Sequence, residues 1–152
     1  ELRQREHRHI EALREGVKDG TIDTITSDHR PEDVEHKKVE FPQAAPGIIG
    51  LETAYAVANT ALKGRMTDRR IVERLCQGPR AALGLELTHI AEGAPTDLTL
   101  FAPELEWTFS ESDIVSRSKN TPFVGYRFTG RPVGIAAGGR IVIGPAFSEA
   151  IG

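Results

Sequence analysis

The chain has 152 residues, is 39% hydrophobic and 27% charged, and carries a net charge of -3, the balance of one ordinary folded domain with a real core. No stretch concentrates Lys and Arg into the basic footprint of a nucleic-acid binder, and no apolar run approaches the roughly 18 residues of a membrane span. The single cysteine, Cys76, excludes an internal disulfide and fits a reducing cytoplasm.

The chain begins with Glu1 and its only methionine is Met66, so the sequence reads as a piece of a longer polypeptide whose site is incomplete here. Residues 3–19 place Ile10, Leu13 and Val17 at offsets of three and four, one narrow apolar face of an amphipathic helix ended by Gly20. "TIDTIT", residues 21–26, follows as a short strand of β-branched residues that leaves at Ser27-Asp28. A helix and then a strand with a polar tip is the αβ half of a βαβ unit. Residues 29–49 lack a clean period and carry Pro31, Pro42, Pro46 and Gly47, which predicts a long functional or mobile loop. An Ala-rich buried helix is expected over 50–62. Thr67-Asp68 opens another, with Ile71, Val72 and Leu75 inward, and "GPRAALGL" adds a short one with Pro79 in its first turn. After about residue 86, Gly, Pro and Thr punctuate the runs "DLTLF", "VGYRF", "RPVGIAA" and "RIVIG", as in small antiparallel strands joined by tight turns such as "AGGR".

Among residues with chemistry to offer, Asp28 stands first. A carboxylate at the carboxyl end of a parallel strand sits where α/β barrels place catalytic groups; the alternative is that it only caps the next turn. His29 and His36 lie in a polar loop and read as solvated. His7 and His9 have the His-x-His spacing of a strand-borne metal pair, but on a helix residues two apart point to nearly opposite sides, so they do not chelate one ion. Cys76 beside Leu75 reads as a buried structural thiol. Gly47 and Gly50 in "AAPGIIGLET" flank a short apolar link before a helix, where glycine lets a ligand approach the backbone.

Four segments together resemble the dihydroorotases, within the cyclic amidohydrolases: "GTIDTITSDHRPEDVEHKKVEF", "AAPGIIGLETA", "EGAPTDLTLFAPELEW" and "SRSKNTPFVGYRFTGRPVGIAAGGRIV". The resemblance runs in order over nearly the whole chain. It implies an α/β fold, the C-terminal part of a metal-dependent (β/α)8 TIM barrel plus the C-terminal share of a small β-sandwich. Residues 1–85 would be the end of the barrel, with its last strand, substrate loop and closing helices, and residues 86–152 the sandwich portion. It also implies reversible hydrolysis of dihydroorotate to N-carbamoyl-aspartate in pyrimidine synthesis, in the cytoplasm. The cofactor implied is zinc, two ions, with most ligands outside this chain, where the metal acidifies a bound water. Asp28 matches the strand-eight aspartate that contacts metal and shuttles a proton. Pro46 and Gly47 match the loop whose backbone touches the substrate. Only Leu2 and Arg3 remain of the family's "Asn-Pro-Pro-Leu-Arg" stretch, so the partners implied begin with the N-terminal part of the same protein. A second copy of the chain and aspartate transcarbamoylase are the others, with no nucleic acid and no membrane.

One departure bears on activity. Active members commonly read Asp-His-Ala-Pro-His, the last histidine helping to hold the substrate carboxylate; here the text is "DHRPE", with Glu32 in that place and Asp33 behind it. Two acids facing an anion repel it. Arg30, replacing the alanine, restores a positive group if the loop folds inward; the alternative is a salt bridge from Arg30 to Glu32 or Asp33. Beside the enzyme stand two further readings: a non-catalytic dihydroorotase-like subunit that supports aspartate transcarbamoylase, and a related amidohydrolase such as a hydantoinase or allantoinase.

Overall fold

The computed structural model describes residues 7–87, 89–95 and 97–147, without the side chains of His7 and Val34. Residues 3–6 of the expected first helix, with Leu2 and Arg3, lie outside the described residues. Helix α1 spans His7–Asp19 and turns out at Gly20. Of its apolar stripe only Val17 is buried, while Ile10 and Leu13 stand exposed. His7 and His9 both fall on this helix.

The strand expected over 21–26 does not form. Residues 23–28 are extended or irregular, with one backbone bond from the Ile25 N–H to the Arg74 carbonyl (2.9 Å) and a single parallel bridge just beyond, His29 to Ile48. A strand is a property of a ladder, and among the described residues nothing lies alongside 23–28 to complete one.

The segment 29–49 is less free than its prolines imply. It holds a one-turn helix, α2 (Val34–Lys37), and a turn at 41–43. Gly50–Thr53 then turns into α3, Ala54–Leu62, shorter at its start than expected. α4 (Asp68–Val72) begins with the Thr67 hydroxyl accepting the Arg70 N–H, runs into a π-helical stretch over Glu73–Gln77, and continues as α5, Gly78–Ala82. Cys76 is exposed rather than buried. Leu75 takes the inward position, and adjacent helical residues diverge by roughly 100°, so its neighbour faces out. Val17, Ala58, Leu62 and Ile71 form one apolar core with Ile22, Ile25 and Leu75 packed around it.

The C-terminal part is a three-stranded antiparallel sheet in the order β1 (Asp97–Thr108), β2 (Arg127–Ala137), β3 (Arg140–Ile143). β2 and β3 join through the two-residue turn at Gly138-Gly139, as "AGGR" predicts. "VGYRF" contributes only Arg127 and Phe128 to a strand, and 124–126 form a turn. β1 bulges between Ala102 and Glu106, where Pro103 has no N–H to give the ladder.

Helix α3 crosses this sheet. Ile49 and Ala56 join Trp107, Phe109, Ile114 and Phe128 in a second buried cluster, whose rings meet edge-on or tilted. Arg131 lies 4.2 Å over the Trp107 ring and reaches Asp113 at 2.5 Å. Asn59, fully buried on α3, donates to the carbonyls of Pro103 (3.0 Å) and Thr129 (2.9 Å). No helix among the described residues is long and apolar enough to cross a membrane.

Two stability measurements follow from this packing. Asn59→Ala removes both donors from the sheet and should lower the unfolding free energy by about 2 kcal/mol, read as a lower urea midpoint with an unchanged slope. At Asp113, burial pushes the carboxyl up, but the bonds from Ser110 and the Arg131 charge outweigh it and hold it below the usual aspartate range. A carboxyl lowered on folding stabilises above its unfolded value and loses that contribution as the pH falls through the folded value. Asp113→Asn should therefore be less stable than wild type by about 1 kcal/mol at neutral pH, and the gap should close as the pH drops below 3.8.

Candidate functional site

Two chain segments far apart in sequence run side by side at residues 28–32 and 45–50. The Arg30 N–H donates to the Ile48 carbonyl (2.8 Å), and the Gly50 N–H donates to Nδ1 of His29 (3.1 Å). His29 is thus half-buried and engaged by the backbone, not simply solvated. The approach is close. A Cβ on Gly47, which sits at φ +117°, would lie 2.5 Å from Cβ of Arg30, and one on Gly50 would lie 2.5 Å from the Ser27 carbonyl. Glycine is required at both contacts.

Asp28 stands at the head of the first segment with φ 42°, the one non-glycine residue with positive φ among those described. Asparagine and aspartate tolerate this region better than other residues, and residues held there recur at functional sites. Its carboxylate is largely exposed and meets the Arg30 Nε at 3.1 Å. Arg30 therefore pairs with Asp28, and not with Glu32 or Asp33 as its alternative reading supposed. Glu32 points its carboxylate at Nδ1 of His36, one helical turn on, at 3.3 Å. Pro46 is exposed beside Gly47.

Residues that sequence reasoning did not single out hold the two segments together. Asn120 accepts the Glu32 N–H on Oδ1 (3.3 Å), donates Nδ2 to the carbonyls of Arg30 and Gly47 (3.2 Å each), and accepts the Ile49 N–H on its own carbonyl (3.1 Å). Ser118 donates its hydroxyl to the Glu32 carbonyl (2.6 Å). Lys37, at the end of α2, donates to the carbonyls of Ala45 and Gly47, both at 2.6 Å. Glu52 accepts the Ser116 N–H (2.7 Å). Burial pushes the Glu52 carboxyl up, and the bonds from Ser116 with the nearby His29 outweigh it and hold it below the usual carboxylate range. The signal for Asn120 and Ser118 was "SKNTPF", where an amide able to donate and accept at once sits in a loop without repetitive structure. Behind the site an apolar cleft runs between α1 and α3, lined by Val17, Ile25, Ile48, Val57, Ala61 and Phe123.

Among the described residues no three His, Cys, Asp or Glu side chains group to hold a metal ion. Asp28 presents a single exposed carboxylate with one oxygen toward Arg30, which fits one position in a cation's oxygen shell and not a whole site.

Residues 2–142 match the model of the amidohydrolase family. The chain belongs to that family. Over 134 residues this amidohydrolase is 43% identical to a dihydroorotase of Anaeromyxobacter sp. (strain K), an alignment that covers 88% of the chain and 31% of that protein. The chain thus spans about a third of the length of the curated relatives it matches. It superimposes with a TM-score of 0.76 on a D-hydantoinase (dihydropyrimidinase) from Thermus sp., 26% identical, over 88% of this chain and 31% of that one. It also superimposes, at 0.58 and 18% identity, on the inactive dihydroorotase-like domain of a CAD-like multifunctional protein from Chaetomium thermophilum, over 89% of this chain and 37% of that one. At that identity the likeness is one of fold. The family and the hydantoinase neighbour support a TIM-barrel-type fold of mixed helix and strand.

Gly47→Ala should move the two segments apart, because the new Cβ meets Arg30 and the left-handed backbone disfavours it. Strain of this kind costs roughly 1–3 kcal/mol. We expect a lower melting temperature together with loss of hydrogen-exchange protection at the Arg30 and Gly50 amides. Unchanged protection would show that the segments tolerate the added methyl.

Proposed function

We propose that this amidohydrolase chain is the C-terminal portion of a dihydroorotase, which opens the cyclic amide of dihydroorotate to N-carbamoyl-aspartate in pyrimidine synthesis. The observation that carries the reading is the meeting of the two segments: strained, exposed Asp28 stands beside a Gly47 loop held within 2.5 Å of Arg30 for any added Cβ. Identity of 43% over 134 residues to a dihydroorotase, against 26% to the Thermus hydantoinase, supports this activity over the hydantoinase alternative.

In this reading residues 1–85 end the barrel, residues 86–152 belong to the sandwich, and the protein is cytoplasmic. Asp28 is the catalytic residue. Its carboxylate takes the proton of the attacking water and returns it to the amide nitrogen as the ring opens, a proton transfer worth roughly 10²–10⁴ in rate. Pro46 and Gly47 line the substrate with backbone groups, where glycine leaves room for the ring. Zinc, two ions with most ligands outside this chain, would supply Lewis acidity at the carbonyl and an acidified water, with Asp28 as the ligand this chain offers. Arg30 takes the substrate carboxylate. Arg30 now meets Asp28 at 3.1 Å, and with that carboxylate held by a cation the guanidinium would be free to face the incoming anion.

Glu32 favours a second reading, a dihydroorotase-like subunit without catalysis that supports aspartate transcarbamoylase. In sequence it stands where active members carry the substrate-binding histidine, and among the described residues its carboxylate meets His36. A second copy of the chain is a further partner that either reading accommodates.

One assay separates these readings: ring opening of dihydroorotate by the full-length protein with added zinc, beside hydantoin as a competing substrate. Wild type should turn over dihydroorotate, Asp28→Ala should lose at least about 10²-fold in kcat, and Arg30→Ala should raise KM with kcat little changed. An unaltered KM would remove Arg30 from the substrate site. No turnover by wild type would favour the non-catalytic subunit, and turnover of hydantoin alone would favour the third reading.

A further inference from the structure

The carbonyl of Gly47 receives two side-chain donors from different parts of the chain. Nζ of Lys37 comes from α2 at 2.6 Å and Nδ2 of Asn120 from the sheet-side segment at 3.2 Å. A carbonyl oxygen has two lone pairs, so the pair of donors saturates it and fixes the plane of the peptide between Gly47 and Ile48. Asn120 meanwhile holds the other segment at two points, the Arg30 carbonyl and the Glu32 N–H. Lys37 has no carboxylate partner among the described residues, and its ammonium is directed to two carbonyls of one loop. An unpaired, partly buried cation is unfavourable unless its hydrogen bonds are well made.

We propose that Asn120 and Lys37 are positioning residues: they converge on the Gly47 carbonyl and so set the substrate loop at a fixed distance and orientation from the loop that carries Asp28. This rests on the dihydroorotase reading for its kinetic consequence, though the latch itself is a feature of the fold. The two residues act on different subsets of the site. Among the described residues the Lys37 ammonium donates to carbonyls of the substrate loop alone. Asn120 touches both loops, so it governs where the substrate lies and where the proton-transferring carboxylate stands relative to it.

The chemistry of the amide provides a sharp variant. Asn120→Asp keeps the shape of the side chain and an acceptor for the Glu32 N–H, but sets an oxygen against the carbonyls of Arg30 and Gly47. If Asn120 merely fills space, that variant behaves as wild type. If it is a latch, the variant is at least as impaired as Asn120→Ala.

The test uses the full-length protein with zinc and two readouts. In steady-state hydrolysis of dihydroorotate, Lys37→Met should raise KM roughly tenfold with kcat within about twofold of wild type, the effect on binding of losing the two hydrogen bonds that hold the substrate loop. Asn120→Ala and Asn120→Asp should each raise KM and also lower kcat, roughly tenfold in each. In hydrogen exchange, the Asn120 variants should lose protection at Glu32 and Ile49 while the β1–β2 ladder keeps its protection, and Lys37→Met should leave Glu32 protected. Wild-type kinetics and exchange in Asn120→Asp would overturn the proposal, as would a kcat loss in Lys37→Met equal to that in the Asn120 variants. Should wild type itself not turn over, the dihydroorotase reading fails and with it the kinetic role. The exchange pattern then decides whether the latch stands.

Discussion

The structure depends on a single primary amide. Between residues 28–32 and 45–50 the backbones present mismatched needs: carbonyls at Arg30 and Gly47, an N–H at Glu32. No hydroxyl or charged side chain meets all three. A carboxylate only accepts, an ammonium only donates, and a hydroxyl has one hydrogen to give. The amide of Asn120 carries donor and acceptor on opposite sides of one rigid plane, and its own carbonyl takes the Ile49 N–H as well. Each such bond contributes about 1 kcal/mol net. Acting on one residue they amount to a few kcal/mol, the scale on which loops open locally. The site is therefore ordered by a residue that belongs to neither of the segments forming it.

Asn120 is tied to the aromatic cluster through Ile49, a member of it, whose N–H its carbonyl accepts. Phe109 and Ile114 on one side of the segment and Phe128 on the other are buried with Ile49 and Ala56, so the start of α3 and the approach to Asn120 share one core. Asn59 fixes the far end of α3 to the sheet at its bulge. The helix is a strut anchored at both ends, and the 45–50 loop hangs from its N-terminal end. Exposed Asp28 and Arg30 thus rest on a scaffold whose interior is close-packed. This is how a site can present a largely solvated carboxylate and still define its position.

Much of this was legible in the sequence where local chemistry decides the outcome. The glycines at 47 and 50, the Ala-rich helix ending at Leu62, the Thr67 cap and the Gly138-Gly139 turn each follow from what one residue type permits. The family resemblance, resting on "GIIGLET" and "SKNTPF", carried the functional reading that periodicity could not reach. What failed was decided at a distance. "TIDTIT" has strand residues without a partner strand. Cys76 was read as a buried structural thiol, but Leu75 beside it takes the inward position and the thiol is exposed. Arg30 was weighed against Glu32 and Asp33 because they are neighbours to its C-terminal side, whereas the backbone turn at Asp28, with its positive φ, brings that carboxylate back toward the guanidinium. Asn120 and Lys37 were not singled out because their partners are backbone atoms 8 to 90 residues away.

The unfilled surfaces and the site share one geometry. Ile25, Thr26 and Ser27 line the apolar cleft, and Asp28 follows them directly at the site. The backbone of 23–28 is extended and without a ladder, and apart from the Ile25 N–H, which the Arg74 carbonyl takes, no ladder bond among the described residues engages it. A strand laid parallel to it would cover the cleft with its side chains and deliver its own carboxyl end beside Asp28, which is where parallel α/β folds gather catalytic groups. Burial and chemistry are then met by the same element.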